Sequence, residues 1–406
     1  MKTLLTISWR NIWRHPGRSG VLIGAIIAGM WAGILVSAWI NGMIEQRVNR
    51  VIQEELTHLQ IHHPEFLTER EPAMFIEPHE EIFSFLDEDQ RVKSYTARTL
   101  VDGIVQSPQT ASGVTISGID PQSERETTTF HENLVEGEYL NSNINNPVLI
   151  GRKLAERLNV EQGNRLVLSF QDLESDLTSA AFVISGIFYT GMPAFDERKV
   201  YVLSEDLSRM VAGEPVYHEI AVMLHDIANS EEVVSELNEA FGTIKAENWI
   251  ELSSELRLMT GAGESYMFYI MLVIMFALAF GILNTMLMAI FERMHELGML
   301  MAFGMSRVRI FVMIMIESVA LTLTGAVAGM LVAHFTVRYF AEYGLDLTVF
   351  GGDTMAEWGY DAIVYPIVSM EEYITVTILV IVTAILSAVY PAIKAIRLNP
   401  ASIVME

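Results

Sequence analysis

Scanned for gaps between charges, the chain falls into four long apolar runs separated by polar segments. The first is uncharged from Ser19 to Ile44 and the second from Ser265 to Phe291. The third, Ile310 to Val337, is interrupted only by Glu317 and His334, and the fourth runs from Tyr373 to Ile393. A hydrocarbon core roughly 30 Å thick is crossed by about 20 helical residues. Each run therefore predicts a transmembrane helix, with spans at 19–44, 265–291, 310–337 and 373–393. Residues 1–18 predict an interfacial helix: Leu5, Trp9, Ile12 and Trp13 share one face, while Arg10 and Arg14 fall off it.

The long polar segment, 45–263, carries the periods of a folded domain. Near its start, His58 to Ile61 reads as a strand, Pro78 to Leu86 as a short helix with Ile82, Phe83 and Leu86 inward, and Tyr95 to Val105 as a second strand. Near its end, Glu219 to Leu224 is a strand. Asn229 or Ser230 then caps a helix that buries Val233, Val234, Leu237 and Phe241, and Thr243 to Trp249 returns as a strand. These halves, 45–120 and 216–263, are expected to pair into one split α/β layer. The middle, 121–215, predicts an inserted β-rich lobe: strand Val148 to Ile150, helix Arg152 to Leu158, a turn at Gln162-Gly163, and a hairpin from Arg165–Phe170 and Phe182–Tyr189 around the polar tip Gln171 to Ser179. Glu45 to Glu55 and Ile250 to Gly263 read as helical continuations of the spans. The expected fold is thus an α-helical membrane protein with four transmembrane helices and a large extracytoplasmic α+β domain.

Charge sets the orientation. Lys2, Arg10, Arg14 and Arg18 precede the first span, Arg293, Arg307 and Arg309 lie between the second and third, and Lys394 and Arg397 follow the fourth. These segments, 1–18, 292–309 and 394–406, are expected in the cytoplasm. The loop 338–372 holds seven acids (Glu342, Asp346, Asp353, Glu357, Asp361, Glu371 and Glu372) and faces outward with the large domain. That domain has 16 basic and 38 acidic residues and carries nearly all of the chain's net charge of −24. Such a balance repels a polyphosphate backbone, which sets nucleic acid aside as a partner. Cysteine is absent, so disulfides and thiolate chemistry are excluded.

No GxxxxGK[ST], HExxH or GxSxG string occurs, so no phosphate cradle, zincin pair or nucleophile elbow is expected in these residues, and no catalytic or metal-binding residue is assigned. His58 and His62 read as surface histidines, and Glu80-Glu81 and Glu231-Glu232 as helix starts favoured by the macrodipole. Glu317 stands apart, because a carboxylate inside a span calls for a partner, a function or a snorkelling route to the interface. Gly29 and Gly33, and Gly325 and Gly329, form GxxxG faces for close helix packing, within the chain or across a dimer.

Between the second and third spans, Glu292 to Arg307 reads ERMHELGMLMAFGMSR and is followed by Ile310. This resembles the RxxEIGxLxAxGxSxxxI signature of the ABC-transporter permeases typified by MacB, LolC, LolE and FtsX. Ser8-Trp9-Arg10-Asn11 with Arg18-Ser19, and Tyr390-Pro391-Ala392 through Arg397-Leu398-Asn399-Pro400, resemble the family's first and last segments. The resemblance implies that 292–309 is a coupling helix docking on a cytosolic ABC ATPase through Arg293, Glu296, Leu297, Gly298, Leu300, Ala302, Gly304, Ser306 and Arg307, although Arg293 and Glu296 could equally pair with one another. It implies a multi-pass protein of the bacterial inner membrane, with a porter-like periplasmic domain. A second permease subunit, in a homo- or heterodimer, is implied too. It places ATP and magnesium on the separate ATPase and leaves this chain without a cofactor and without an enzymatic role of its own. Mechanotransmission for lipoprotein release is the leading expectation, with acyl chains meeting Ile26, Met30, Trp31, Met267, Ile270, Met271 and Ile274 among membrane lipids. Export of peptides or drugs with a periplasmic adaptor, and signalling to an envelope enzyme, are the alternatives. The short acidic hairpin tip, with Asp172, Glu174 and Asp176, is a poor hook for a periplasmic lipoprotein carrier.

Overall fold

The computed structural model describes residues 16–348, 360 and 362–397, the side chains of Arg18 and of 262–266 excepted. The interfacial helix expected before Pro16, the Ser8–Asn11 and Leu398–Pro400 motif positions, and the acids Asp353, Glu357 and Asp361 lie outside the described residues. The chain divides at Ile44/Glu45, Met259/Thr260, Asp346/Leu347 and Ala362/Ile363 into two units.

Among the described residues, the first unit holds four helices long and apolar enough to span a bilayer. They run Pro16–Val51, Ser254–Glu292, Arg307–Tyr343 and Met370–Ile396, each longer than its uncharged run. A short helix, Met294–Ala302, joins the second to the third. In lipid the hydrophobic effect does not draw helices together, so close approach of small residues has to. The first span presents Leu22, Ile26, Met30, Ile34 and Ala38, every fourth residue, as one buried ridge. Gly325 and Gly329 of the third span receive it: a Cβ on Gly325 would come within 2.8 Å of Ile26 Cβ, and one on Gly329 within 2.8 Å of Met30 Cβ. Gly29 and Gly33 face Leu278, Met271 and Val376 of the same chain. Both GxxxG faces are therefore occupied internally. The fourth span adds a matching stripe of Val376, Val380, Ala384, Ala388, Ala392 and Ala395.

In the second unit the first half is β1 (Leu59–His62), helix His79–Glu88 and β2 (Val92–Gln106), and the last half is β9 (Glu219–Leu224), helix Ser230–Ala240 and β10 (Lys245–Asn248). The order β10-β1-β9-β2, antiparallel throughout, interleaves the halves into one split βαβ layer. Ile82 and Leu86 from one helix, and Val233, Val234 and Leu237 from the other, pack with Leu59, Ile61, Ile220 and Val222. Strand β10 stops at Asn248 rather than Trp249, because Asn248 and Glu251 form a capping box that starts helix Trp249–Leu252.

Between β2 and β9 lie β3 (Ala111–Ile119), β4 (Leu134–Gly137), β5 (Pro147–Gly151), β6 (Arg165–Gln171), β7 (Leu177–Phe188) and β8 (Lys199–Leu203). Neighbours pair in the circuit β2-β3-β8-β5-β7-β6, and β6 returns to β2 through Gly103↔Phe170. The inserted lobe is thus a closed six-stranded barrel, filled by Val101, Val105, Ile116, Leu168, Phe170, Phe182, Ile184 and Val202 among others. Its start corrects the expected boundary at 121. Strand β2 pairs with β9 over Val92–Arg98 and with β3 over Thr99–Gln106, and no turn residue marks the transition. The hairpin also pairs further than expected, to Gln171↔Leu177, leaving a tip of Asp172–Asp176. Asp172 Oδ1 accepts hydrogen bonds from Glu174 N and Asp176 N, each at 3.0 Å, and so closes that tip on itself.

Candidate functional site

The second span ends at Glu292, and helix Met294–Ala302 follows after the break at Arg293. Gly304, at φ +92°, ends that segment in a conformation L side chains resist, and Gly304 N and Met305 N cap the carbonyls of Met301 and Leu300 at 3.0 Å each. Ser306 then caps the third span, its Oγ accepting from Arg309 N at 3.4 Å. Leu297 and Gly298 are buried, and Leu300, Met301 and Met305 pack on the four-helix core.

One charged residue of the motif, Arg293, does not face outward as expected. Arg293 turns inward and its Nη1 lies 3.0 and 3.1 Å from the two carboxylate oxygens of Glu317, with Nε 3.4 Å from Glu296 Oε2. The Arg293 and Glu317 side chains are each only 14% exposed. Glu317, expected either to snorkel or to find a partner, has found one 24 residues earlier in the chain. Local pairing of Arg293 with Glu296 is present as well, as the weaker of the two contacts. A cavity of about 30 Å³ beside the pair, lined by Ser19, Thr285, Leu297 and Met313 among others, is large enough for water. What the loop presents outward is apolar and basic: Met299, Phe303 at 89% exposure, Val308, and exposed Ala302, Ser306, Arg307 and Arg309. Exposed apolar groups rimmed by charge mark an interaction surface. The sequence signal for it is the spacing of Met299, Phe303 and Val308, with Arg307 and Arg309 flanking the last.

The residues expected to face acyl chains separate into two groups. Ile26 and Met30 are buried against Gly325 and Gly329, which removes them from any lipid surface, and Met271, buried beside Gly33, borders only the cleft that Met267 lines. Trp31 remains partly exposed, with Nε1 donating to Thr336 Oγ1 at 3.2 Å, while Met267 and Ile270 are half-buried and Ile274 packs against the core. The apolar face left exposed on the second span is instead Phe268, Tyr269, Leu272, Val273, Phe276 and Phe280. Met267 lines a cleft of about 460 Å³ between the first, second and fourth spans, shared with Ser37, Asn41, Phe268, Glu371, Glu372 and Leu379.

A second charged cluster, which no sequence motif marked, lies inside the second unit. Arg98, on β2 where the strand leaves the split layer for the barrel, donates to Glu124 Oε1 and Glu219 Oε1 at 2.6 Å each. His62 Nε2 lies 3.2 Å from Glu219 Oε2, and all four residues are buried. Burial would raise the Glu219 carboxyl, yet Arg98 and the His62 hydrogen bond hold it well below the usual carboxylate range. Next to it, His218 takes Leu100 N on Nδ1 at 3.2 Å and gives Nε2–H to Pro72 O at 2.9 Å. Burial lowers the His218 pKa to about 4. The one sign of the cluster in the sequence is a lone arginine in the middle of a strand.

Two families match the chain. The FtsX-like permease C-terminal family covers residues 268–400, and the MacB-like periplasmic core domain covers residues 19–240. The lipoprotein-releasing system transmembrane protein LolC of Xylella fastidiosa is 20% identical over 282 residues, 66% of this chain and 65% of that protein. The macrolide export ATP-binding/permease protein MacB of Escherichia coli is 26% identical over 136 residues, 32% of this chain and 21% of that protein. The chain thus spans under two thirds of the length of either relative. Among solved structures, the periplasmic region of MacB from Actinobacillus actinomycetemcomitans aligns with a TM-score of 0.35 at 13% identity, covering 50% of this chain and 94% of that one. The extracellular domain of the noncanonic ABC-type transporter YknZ from Gram-positive bacteria gives 0.32 at 15% identity, covering 47% and 99%.

Proposed function

This chain belongs to the ABC-transporter permeases built from a MacB-like periplasmic core and an FtsX-like C-terminal domain, and on that premise we propose that it is the membrane subunit of a lipoprotein-releasing machine. It is a multi-pass inner-membrane protein with a periplasmic domain, and members of its family act with cytosolic ABC ATPases. The observation that carries the reading is the cytoplasmic helix Met294–Ala302: it is pinned to the third span through Arg293 and Glu317 while Met299, Phe303 and Val308 point away from the bundle. A helix held that way passes displacement into the spans, where a free loop would absorb it. The hydrolysis that drives it lies outside these 406 residues, which contain no GxxxxGK[ST] phosphate cradle. Acyl chains would be admitted at the exposed apolar face of the second span and at the cleft lined by Met267 and Met271, where the earlier candidates Ile26 and Met30 have no part.

The self-closed hairpin tip Asp172–Asp176 favours a second reading, MacB-like export of peptides or drugs through an adaptor, since a tight turn offers little for a lipoprotein carrier to grip. One experiment separates the two. Met267→Asn and Phe276→Asn, expressed on depletion of wild type, are expected to retain lipoproteins in the inner membrane at normal permease levels. Normal lipoprotein sorting together with lost resistance to an exported compound would refute the first reading and establish the second.

A further inference from the structure

The first helix continues into the second unit as far as Val51 and ends there in a π turn, Ile52–Leu56, closed by Thr57 N on Ile52 O at 2.8 Å. A helix end leaves its last carbonyls without partners in the helix, and water commonly takes them. At this stalk end, other elements take two of them. Gln53 O accepts from Thr129 N at 2.9 Å, and Glu55 O accepts from Arg98 Nη1 at 3.1 Å. Thr57 then turns the chain toward β1 at φ +55°, fully buried, with Oγ1 2.6 and 2.9 Å from the carbonyl oxygens of Leu56 and Leu59. A β-branched residue keeps that conformation only where its surroundings dictate it, so the stalk end is fixed rather than frayed.

The groups that hold it belong to different bodies of the fold. Arg98 is the last residue of β2 paired with β9 in the split layer, and Thr99 is the first paired with β3 in the barrel. Arg98 is tied to the layer through Glu219 of β9 at 2.6 Å. Thr129 opens the turn Phe130–Asn133, and the Phe130 ring packs 4.9 Å from Phe188 of β7 and 4.2 Å from Tyr201 of β8, which places that turn with the barrel. Glu55 reaches both bodies. Its carbonyl is on Arg98, and its carboxylate Oε1 lies 3.1 Å from Nζ of Lys199, the first residue of β8. The Glu55 and Lys199 side chains are 26% and 22% exposed, and a pair so close to water adds little to stability.

We propose that Glu55 is a positioning residue through which the stalk end sets the angle between the barrel and the split layer. A shift of the stalk end moves the Glu55 carbonyl against Arg98 and its carboxylate against Lys199. The two bodies then turn about β2 at Arg98/Thr99 instead of following the stalk as one rigid block. The proposal rests on the reading of this chain as a mechanical transmitter and names the joint that passes displacement into the large domain.

The test uses the full chain, which has no cysteine of its own. Ala181→Cys on β7 and Glu239→Cys on helix Ser230–Ala240, both exposed, carry spin labels, and their separation is measured by pulsed electron resonance in nanodiscs without ATPase or cargo. Neither label sits on the stalk. Wild type is expected to give one narrow distance. Glu55→Gln and Lys199→Met should each widen the distribution about twofold with an unchanged unfolding midpoint, and the double variant should be no wider than either single. Lys199→Arg should keep the wild-type width. Unchanged widths in the single variants, additive widening in the double, widening in Lys199→Arg, or a fall in the unfolding midpoint that accompanies the widening would each overturn the proposal, the last by leaving the pair a merely structural role. Since no ATPase or cargo is present, failure here refutes the joint and not the transport reading, and failed lipoprotein sorting leaves the joint standing.

Discussion

Separating Arg293 from Glu317 should expose how the cytoplasmic helix is held. At 3.0 Å, Coulomb's law with an effective dielectric of about 20 gives roughly 5 kcal/mol of attraction before desolvation is charged against it. Both side chains are 14% exposed, so desolvation offsets most of that gain, and an apolar pair of similar shape would be nearly as stable. Removing one partner is different, because it takes the strongest counter-ion from the other charge beside a cavity of only about 30 Å³. Arg293→Met and Glu317→Leu should therefore each destabilise the purified chain by about 3 kcal/mol, while the double variant costs far less than their sum. The assay is a double-mutant cycle on unfolding in detergent, followed by reconstitution with the ATPase. The double variant, stable but without the ionic pin, should hydrolyse ATP with release reduced about tenfold. Additive losses, within about 0.5 kcal/mol, would refute the pairing argument. Unimpaired release by the double variant would refute its role in coupling.

Three further outcomes follow from the same geometry. Gly329→Leu should lower thermal stability by about 1–3 kcal/mol, since even a Cβ there meets Met30 at 2.8 Å, and a companion Met30→Ala should recover part of the loss in the same unfolding assay. Phe303→Asp, at a position 89% exposed, should leave unfolding unchanged but abolish co-purification of the ATPase; retained association would move the docking surface elsewhere. His218, held neutral with a pKa near 4 against an ordinary 6.5, binds its proton more readily unfolded than folded. Its stability contribution is complete above pH 6.5 and is lost as pH falls toward 4, by about 2 kcal/mol between pH 7 and pH 5. Hydrogen exchange of the β9 amides should show that slope in wild type and a shallower one in His218→Gln.

The four spans were legible in the sequence, because about 20 apolar residues in a row have few other uses and charge gaps reveal them directly. So was the split layer, whose strand and helix periods recur in both halves with caps and turn residues at their ends. Which face of each span is buried was not legible. A helix that is apolar all round carries no inside or outside in its period, and only the meeting of Ile26 and Met30 with Gly325 and Gly329 decided it, against the reading that gave those residues to lipid. Barrel closure was hidden for a related reason: β2 is one unbroken 15-residue strand that changes partners at Thr99, and pairing between Gly103 and Phe170 leaves no local signal at either residue. The coupling motif was visible as letters, but their roles depended on a contact 24 residues away. Glu317 draws Arg293 inward because a carboxylate in a span has few other ways to be neutralised, and that leaves Met299, Phe303 and Val308 to form the outward face. The sequence determines what is apolar, what is charged and where the chain can turn. The tertiary structure decides which charges meet, since desolvation and pairing act across space and not along the chain.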